Sequence, residues 1–173
     1  MKKLATCLAL FILALATALP AYSAEYISGR AGLYFPDESA LDTGYNFGIA
    51  YGFNFTQNPQ VYAEFATGFY GAELEGNSSF DLTVIPFTAS LILNHAIAGT
   101  PFDLYAGAGP GLYLAMIDTP WGDDSELELG VHLVGGGTFN VDSQFALFAE
   151  LRGDLVTDDV GGAFLNFGLK YKF

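Results

Sequence analysis

The chain has a single cysteine, Cys7, so no disulfide framework can hold its fold. Lys and Arg number six against 19 Asp and Glu in 173 residues. So acidic a chain repels nucleic acid and presents no basic patch to phosphates. No stretch beyond Glu25 keeps an apolar period of 3.6, which excludes a helical bundle. Nor does any segment beyond the N-terminus supply the ~20 continuous apolar residues of a spanning helix. No Ser/His/Asp or Cys/His arrangement and no regular metal-ligand spacing stands out, so no catalytic residue is expected and no metal site is assigned by spacing. Tryptophan occurs once, at Trp121, and no composition break or linker divides the chain into two domains.

What is present begins with Met1-Lys-Lys3, an apolar stretch from Leu4 to Leu19, and the small residues of Pro20-Ala-Tyr-Ser-Ala24. These are the three parts of a secretory signal peptide, expected to span residues 1–24. The run is about 16 residues long and closed by Pro20, too short for a retained membrane helix. Cys7 precedes the hydrophobic stretch, so it does not sit where a lipidation cysteine would. Residues 25–173 would then carry four Lys and Arg against 19 Asp and Glu, a net charge of −15.

Within 25–173, apolar residues alternate with period 2 in segments of about ten, separated by Gly, Pro, Asp and Asn. The segments run from Tyr26 to Phe35, Gly44 to Phe55, Gln60 to Gly71, Phe80 to Leu93, Phe102 to Ile117, Leu127 to Asn140, Phe145 to Val156 and Ala163 to Phe173. Eight of them suit a closed antiparallel barrel with both termini on one side. Thr56 to Pro59 and Val141 to Gln144 predict tight turns, and Asn94 to Pro101 a longer one on the same, periplasmic side. Pro36 to Thr43, Ala72 to Ser79, Asp118 to Glu126 and Thr157 to Gly162 predict longer acidic loops on the exterior. In the fourth segment Phe80, Leu82 and Val84 have one parity and Phe87, Ala89, Leu91 and Leu93 the other, which predicts a β-bulge at Pro86. Pro110 marks a second irregularity.

A soluble barrel with an apolar interior would alternate in the same way, and side-chain volume decides between the two. One face carries Tyr45, Phe47, Ile49, Tyr51, Phe53 and their equivalents; the other carries Gly48, Gly52, Gly107, Gly109, Gly111, Gly130, Gly136 and Gly168. An eight-stranded barrel has an interior just wide enough for side chains to fill, so the glycine-rich face belongs inside. Arg30, Arg152, Lys170 and Lys172 all fall on that face, as a lipid-facing Lys or Arg would cost about 2–4 kcal/mol at the bilayer midplane. Phe55, Phe102, Phe139, Phe145 and Phe173 would form the periplasmic aromatic girdle.

The stretches Val84-Ile-Pro-Phe-Thr-Ala-Ser-Leu-Ile-Leu93, Pro101-Phe-Asp-Leu-Tyr-Ala-Gly-Ala-Gly-Pro-Gly-Leu-Tyr113 and Phe145-Ala-Leu-Phe-Ala-Glu-Leu-Arg152, with the terminal Tyr-Lys-Phe173, resemble the OmpA/OmpX/OmpW-like outer-membrane β-barrel family. The likeness covers essentially all of residues 25–173. It implies an all-β, eight-stranded antiparallel transmembrane β-barrel in the outer membrane, inserted by the barrel-assembly machinery. In that family the C-terminal aromatic strand is the assembly signal, which here would be Tyr171 and Phe173. No periplasmic peptidoglycan-binding domain of the kind longer relatives carry is expected.

Beside the assembly signal, two groups of residues are candidates for function. Arg30, Glu64, Glu128, His132, Glu150, Arg152, Asp154 and Lys170 share the inward parity, and several lie at neighbouring levels, which predicts a charge-paired network plugging the lumen. Asp118, Asp123, Asp124 and Glu126 supply hard oxygen ligands that could hold a divalent cation, without the spacing of an EF-hand. His132 and His95 are each followed by two apolar residues, so neither has the His-x-Ser pattern of barrel lipid A deacylases. Gly107 to Gly111 is followed by a strand rather than by the helix a phosphate loop needs. The expected function is a structural or surface-interaction role for a monomeric barrel among outer-membrane lipid and lipopolysaccharide, with no cofactor. An OmpW-like conduit for small apolar solutes is the alternative, and lipid A modification a distant third.

Overall fold

The computed structural model describes residues 25–54, 56, 58–74, 77–119, 122–157 and 160–173. The chain forms eight strands, β1 (Glu25–Pro36), β2 (Gly44–Asn54), β3 (Val61–Leu74), β4 (Asn77–Ala96), β5 (Phe102–Thr119), β6 (Gly122–Asn140), β7 (Phe145–Val156) and β8 (Gly162–Lys172). Each pairs antiparallel with its sequence neighbours, and β8 returns to β1 to close the barrel. A row of cross-strand partners starting at Glu25 passes through Phe53, Ala63, Leu91, Ala108, Leu133, Gly153 and Ala163 and arrives at Phe35. The row thus rises ten residues in one circuit, and that stagger tilts the strands and sets the barrel's width.

The alternation sorts the faces as read from the sequence. Leu147, Leu151 and Leu155 of β7 are exposed while Phe148, Glu150, Arg152 and Asp154 are buried. Ile27, Leu33, Tyr45, Phe47, Phe167 and Leu169 lie on the outer wall. The girdle pairs Phe102 with Phe139 at 5.1 Å and Phe145 with Tyr171 at 5.1 Å between ring centres. Phe55 and residues 1–24, including the expected signal peptide, lie outside the described residues. Between β4 and β5, Gly99 takes a positive φ of 77°, a backbone shape that favours glycine, and so closes the turn.

Two expectations are corrected. The β-bulge at Pro86 does not occur: β4 keeps one register against β3 and β5 on both sides of the proline. The ladders lapse locally instead, where Ile85 and Pro86 face β3 and where Ala89 and Ser90 face β5 beside Pro110. A missing N–H removes a ladder bond without requiring an extra residue. Leu82 and Val84 seemed to change face because they are apolar residues pointing inward, buried in the extracellular third of the lumen.

The stretches Ala72 to Ser79 and Asp118 to Glu126 are likewise not long loops. β3 continues to Leu74, β4 starts at Asn77, β5 runs to Thr119 and β6 starts at Gly122. Their Asp, Asn, Ser and Glu residues disfavour strands individually, but Glu73 pairs with Asp81 and Leu74 with Asn77 across a register shift, and Asp118, Asp124, Ser125 and Glu126 are held in the β5–β6 ladder. β4, β5 and β6 therefore span 20, 18 and 19 residues against 12 in β1 and β7. One side of the barrel wall stands above the other.

Candidate functional site

Glycines on the inward face make room for rings. A Cβ added to Gly52 would lie 2.1 Å from the Tyr26 ring, one on Gly168 2.3 Å from Phe148, and one on Gly136 2.7 Å from Tyr105. Gly111 and Gly130 take the Tyr113 ring in the same way. The lumen is consequently filled by aromatics, against the expectation from side-chain volume that the rings lie outside. Tyrosines alternating in phase with glycines of adjacent strands were the available signal.

Three storeys follow from this filling. At the periplasmic end the Lys170 ammonium sits 4.4 Å from the Tyr26 ring centre and 4.9 Å from that of Tyr105, with Phe148 at 5.5 Å. Tyr26 donates to Glu64 at 2.6 Å, and Lys172 donates to Asn140 at 2.5 Å.

In the middle storey Glu150 is a hub. It accepts from Arg30 Nη1 at 3.1 Å, Asn166 Nδ2 at 3.1 Å and the Tyr105 hydroxyl at 2.9 Å. Above it Arg152 grips Asp154 through two bonds, Nε to Oδ1 at 2.6 Å and Nη2 to Oδ2 at 2.8 Å, with the Asp154 side chain wholly buried. Such a planar fork is the strong form of an ion pair. The two pairs are the ion pairs of the described residues, and no direct bond joins them.

The third storey closes the extracellular end. Tyr34, Tyr70, Tyr113, Phe164, Leu82 and Val84 pack together, with Val160 of the β7–β8 connection buried among them. Tyr70 donates to the Val160 carbonyl at 2.9 Å and Tyr34 to the Gly161 carbonyl at 2.9 Å, fastening that connection over the mouth. Tyr34 and Phe164 stack at 4.9 Å.

The inward residues named from sequence are thus distributed over separate contacts. Glu128 sits near the extracellular rim and bonds the Thr157 hydroxyl, apart from the ion pairs. His132 meets a serine after all: Ser90 of β4 reaches across Gly109 of β5 to within 2.7 Å of Nε2. Sequence spacing could not reveal it, because the two residues are 42 apart and face each other only through the barrel. Nucleophile and base are in reach, but among the described residues His132 Nδ1 has no partner to orient the ring, and both side chains are buried in a filled lumen. The arrangement is that of a polar contact.

Of the acidic group, Asp124 and Glu126 are exposed on β6, while the side chains of Asp118 and Asp123 lie outside the described residues, as do Trp121 and Asp158. Register sets Asp118 opposite Asp123 and also opposite Asp81. Among the described residues no group of three or more ligating side chains could hold a metal ion. Tyr171 and Phe173 are exposed at the periplasmic rim, their ring centres 6.0 Å apart. In the turn between β6 and β7, Asp142 accepts from the backbone N–H groups of Gln144 and Phe145, each at 2.7 Å, and these bonds hold its carboxyl below the ordinary carboxylate value.

Comparison with known proteins places this geometry. The profile described as "Outer membrane protein beta-barrel domain" matches residues 5–173. Among solved structures, Neisserial surface protein A (NspA) is similar at 20% identity and a TM-score of 0.72, covering 88% of this chain and 100% of its own. Ail of Yersinia pestis, solved with the heparin analogue sucrose octasulfate, is similar at 24% identity and a TM-score of 0.60, covering 88% and 100%. OprG of Pseudomonas aeruginosa is similar at 12% identity and a TM-score of 0.67, covering 88% and 96%. These identities speak to the fold alone. No curated protein matches the sequence.

Proposed function

Since the chain belongs to the outer membrane protein beta-barrel domain family, and so is an outer-membrane β-barrel, we propose that it acts as a closed, non-enzymatic barrel whose extracellular end makes surface contacts. The observation that carries this reading is the filled lumen. Ion pairs fill its middle and rings its two ends, and two cavities within it, of about 20 and 10 Å³, hold no more than a water or two. A continuous aqueous path does not suit such an interior. Contact chemistry then falls to the extracellular rim, where the long hairpins and the connection after β1 present Asp37, Glu38, Asp42, Asp124 and Glu126. A polyanion of the kind bound by Ail fits poorly here, because the chain repels negative charge. The exposed Tyr171 and Phe173 serve as the assembly signal, and the apolar outer wall contacts lipid and lipopolysaccharide as a monomer.

The test pairs planar-bilayer recording with cell-surface binding. Wild-type barrel should give no steady conductance, and neutralising the five rim carboxylates should change surface binding without changing membrane yield. A large steady conductance would overturn the closed-barrel reading and favour a conduit.

A further inference from the structure

The tall side of the wall ends in an unpaired strand edge. β6 is paired with β5 along its whole length, from Thr119 opposite Gly122 down to Phe102 opposite Phe139. On its other side pairing with β7 starts only at Gly130 opposite Val156. Residues 122–129 therefore have a sheet neighbour on one side. The Thr157 hydroxyl, which bonds Glu128, also lies 3.2 Å from the Leu129 carbonyl and so stands on the open side. Backbone groups alternate sides along a strand, so that contact marks the odd residues as edge-facing. The Ser125 N–H turns to the Asp124 carboxylate at 2.8 Å. Among the described residues, the Ser125 carbonyl and both backbone groups of Leu127 are left on the edge without a ladder partner. Hydrocarbon does not tolerate such an edge, so it must stand in the headgroup region or in water.

Its two faces carry opposite chemistry. Asp124, Glu126 and Glu128 have the inward parity, facing the barrel axis above the tyrosine plug. Leu127 and Leu129 have the outward parity and are 56% and 65% exposed. A strand added to this edge would align its own side chains with these two rows.

We infer that the upper edge of β6, from Asp124 to Leu129, is a β-augmentation site for an extended partner segment that alternates basic and apolar residues. Backbone bonds to Ser125 and Leu127 would supply the pairing, the carboxylates would select Lys or Arg on one face, and the leucines would take apolar side chains on the other. A second copy of this edge is the wrong occupant, since it would set carboxylates against carboxylates. This inference rests on the surface-contact reading and names its site and partner chemistry.

The test uses the full barrel in lipid nanodiscs and a labelled peptide of four Lys-Val repeats. Binding should shift backbone amide resonances at residues 125–129, and it should weaken with added salt. The same peptide with alternate backbone amides N-methylated keeps its charge but cannot pair as a strand, and it should bind about tenfold more weakly or worse. Leu127→Pro, which removes the edge N–H, should cause a similar loss with the native peptide. Equal binding of the methylated peptide would overturn the inference, as would resonance shifts confined to residues 37–42, or barrels that cross-link to each other through β6 without peptide. Should the peptide fail to bind while the rim-neutralised barrel still loses surface contacts, the edge site is wrong and the surface role stands. Should the peptide pair at β6 while the wild-type barrel conducts steadily, the closed-barrel reading is wrong and the edge site stands.

Discussion

The middle and the extracellular storeys of the lumen are enclosed by the same eight strands with the same alternation, yet they are filled in opposite ways. The middle storey is occupied by charge: Glu150 satisfied by Arg30, Asn166 and Tyr105, and Asp154 by Arg152. The extracellular storey is occupied by rings and aliphatics, with hydroxyls aimed at the carbonyls of one connection. A charged filling need not be more stable than an apolar one, but it fails harder when one member is removed. An apolar filling loses contact area and opens a void. The two storeys should therefore break with different magnitudes and different remedies.

The largest effect is expected in the middle storey. Arg152→Ala strands a wholly buried Asp154 and should cost about 3–5 kcal/mol in urea unfolding of the lipid-reconstituted barrel. Removing both partners in Arg152→Ala with Asp154→Ala should recover much of that loss, as apolar replacement of a whole pair often does. A double variant as unstable as the single would mean that packing, not the stranded charge, sets the cost. Next in size, Gly52→Ala drives a methyl into the Tyr26 ring and should cost about 1–3 kcal/mol. Gly153→Ala on the lipid-facing wall meets nothing within 4 Å and should leave the midpoint nearly unchanged. Equal losses at the two sites would remove the ring-on-glycine account of the lumen.

The barrel and its inner and outer faces were legible because period 2 is strict and charge segregates cleanly to one parity. The lumen's contents were less so. Arg30, Glu150, Arg152 and Asp154 could be placed on one face, and Arg152 and Asp154 lie two residues apart on one strand, but the pairing of Arg30 with Glu150 depends on how the strands are staggered, which no single strand encodes. Ser90 and His132 meet only because Gly109 between them has no side chain. Hydropathy misplaced Leu82 and Val84, since an apolar plug inside a membrane barrel looks like a change of face. It also mistook two polar hairpins for loops, because ladder bonding overrode the weak strand preference of Asp, Asn, Ser and Glu.

A smaller effect should come from the extracellular storey. Tyr34→Phe and Tyr70→Phe each keep the ring and delete one hydroxyl bond to the β7–β8 connection, at about 0.5–1.5 kcal/mol apiece. Their signature should be local, with faster hydrogen exchange near Gly161 and Gly162 and no change around Glu150. Faster exchange throughout the middle storey would show that the two fillings act as one unit rather than two.

The smallest effect lies outside both storeys, at the periplasmic turn, and it isolates what charge contributes in water. Asp142 is fully exposed, and its carboxylate accepts two backbone N–H groups that hold its folded-state value below the ordinary 3.8. A carboxyl depressed on folding adds stability that is fully present above the unfolded value and fades as pH falls through the folded one. Asp142→Asn keeps an acceptor in the same place without the charge. The melting difference between wild type and this variant should be small at neutral pH and should vanish as pH drops below about 3.8. A difference that persists in acid would assign the turn's contribution to hydrogen-bond geometry alone, and charge would then matter to this fold only where water cannot reach it.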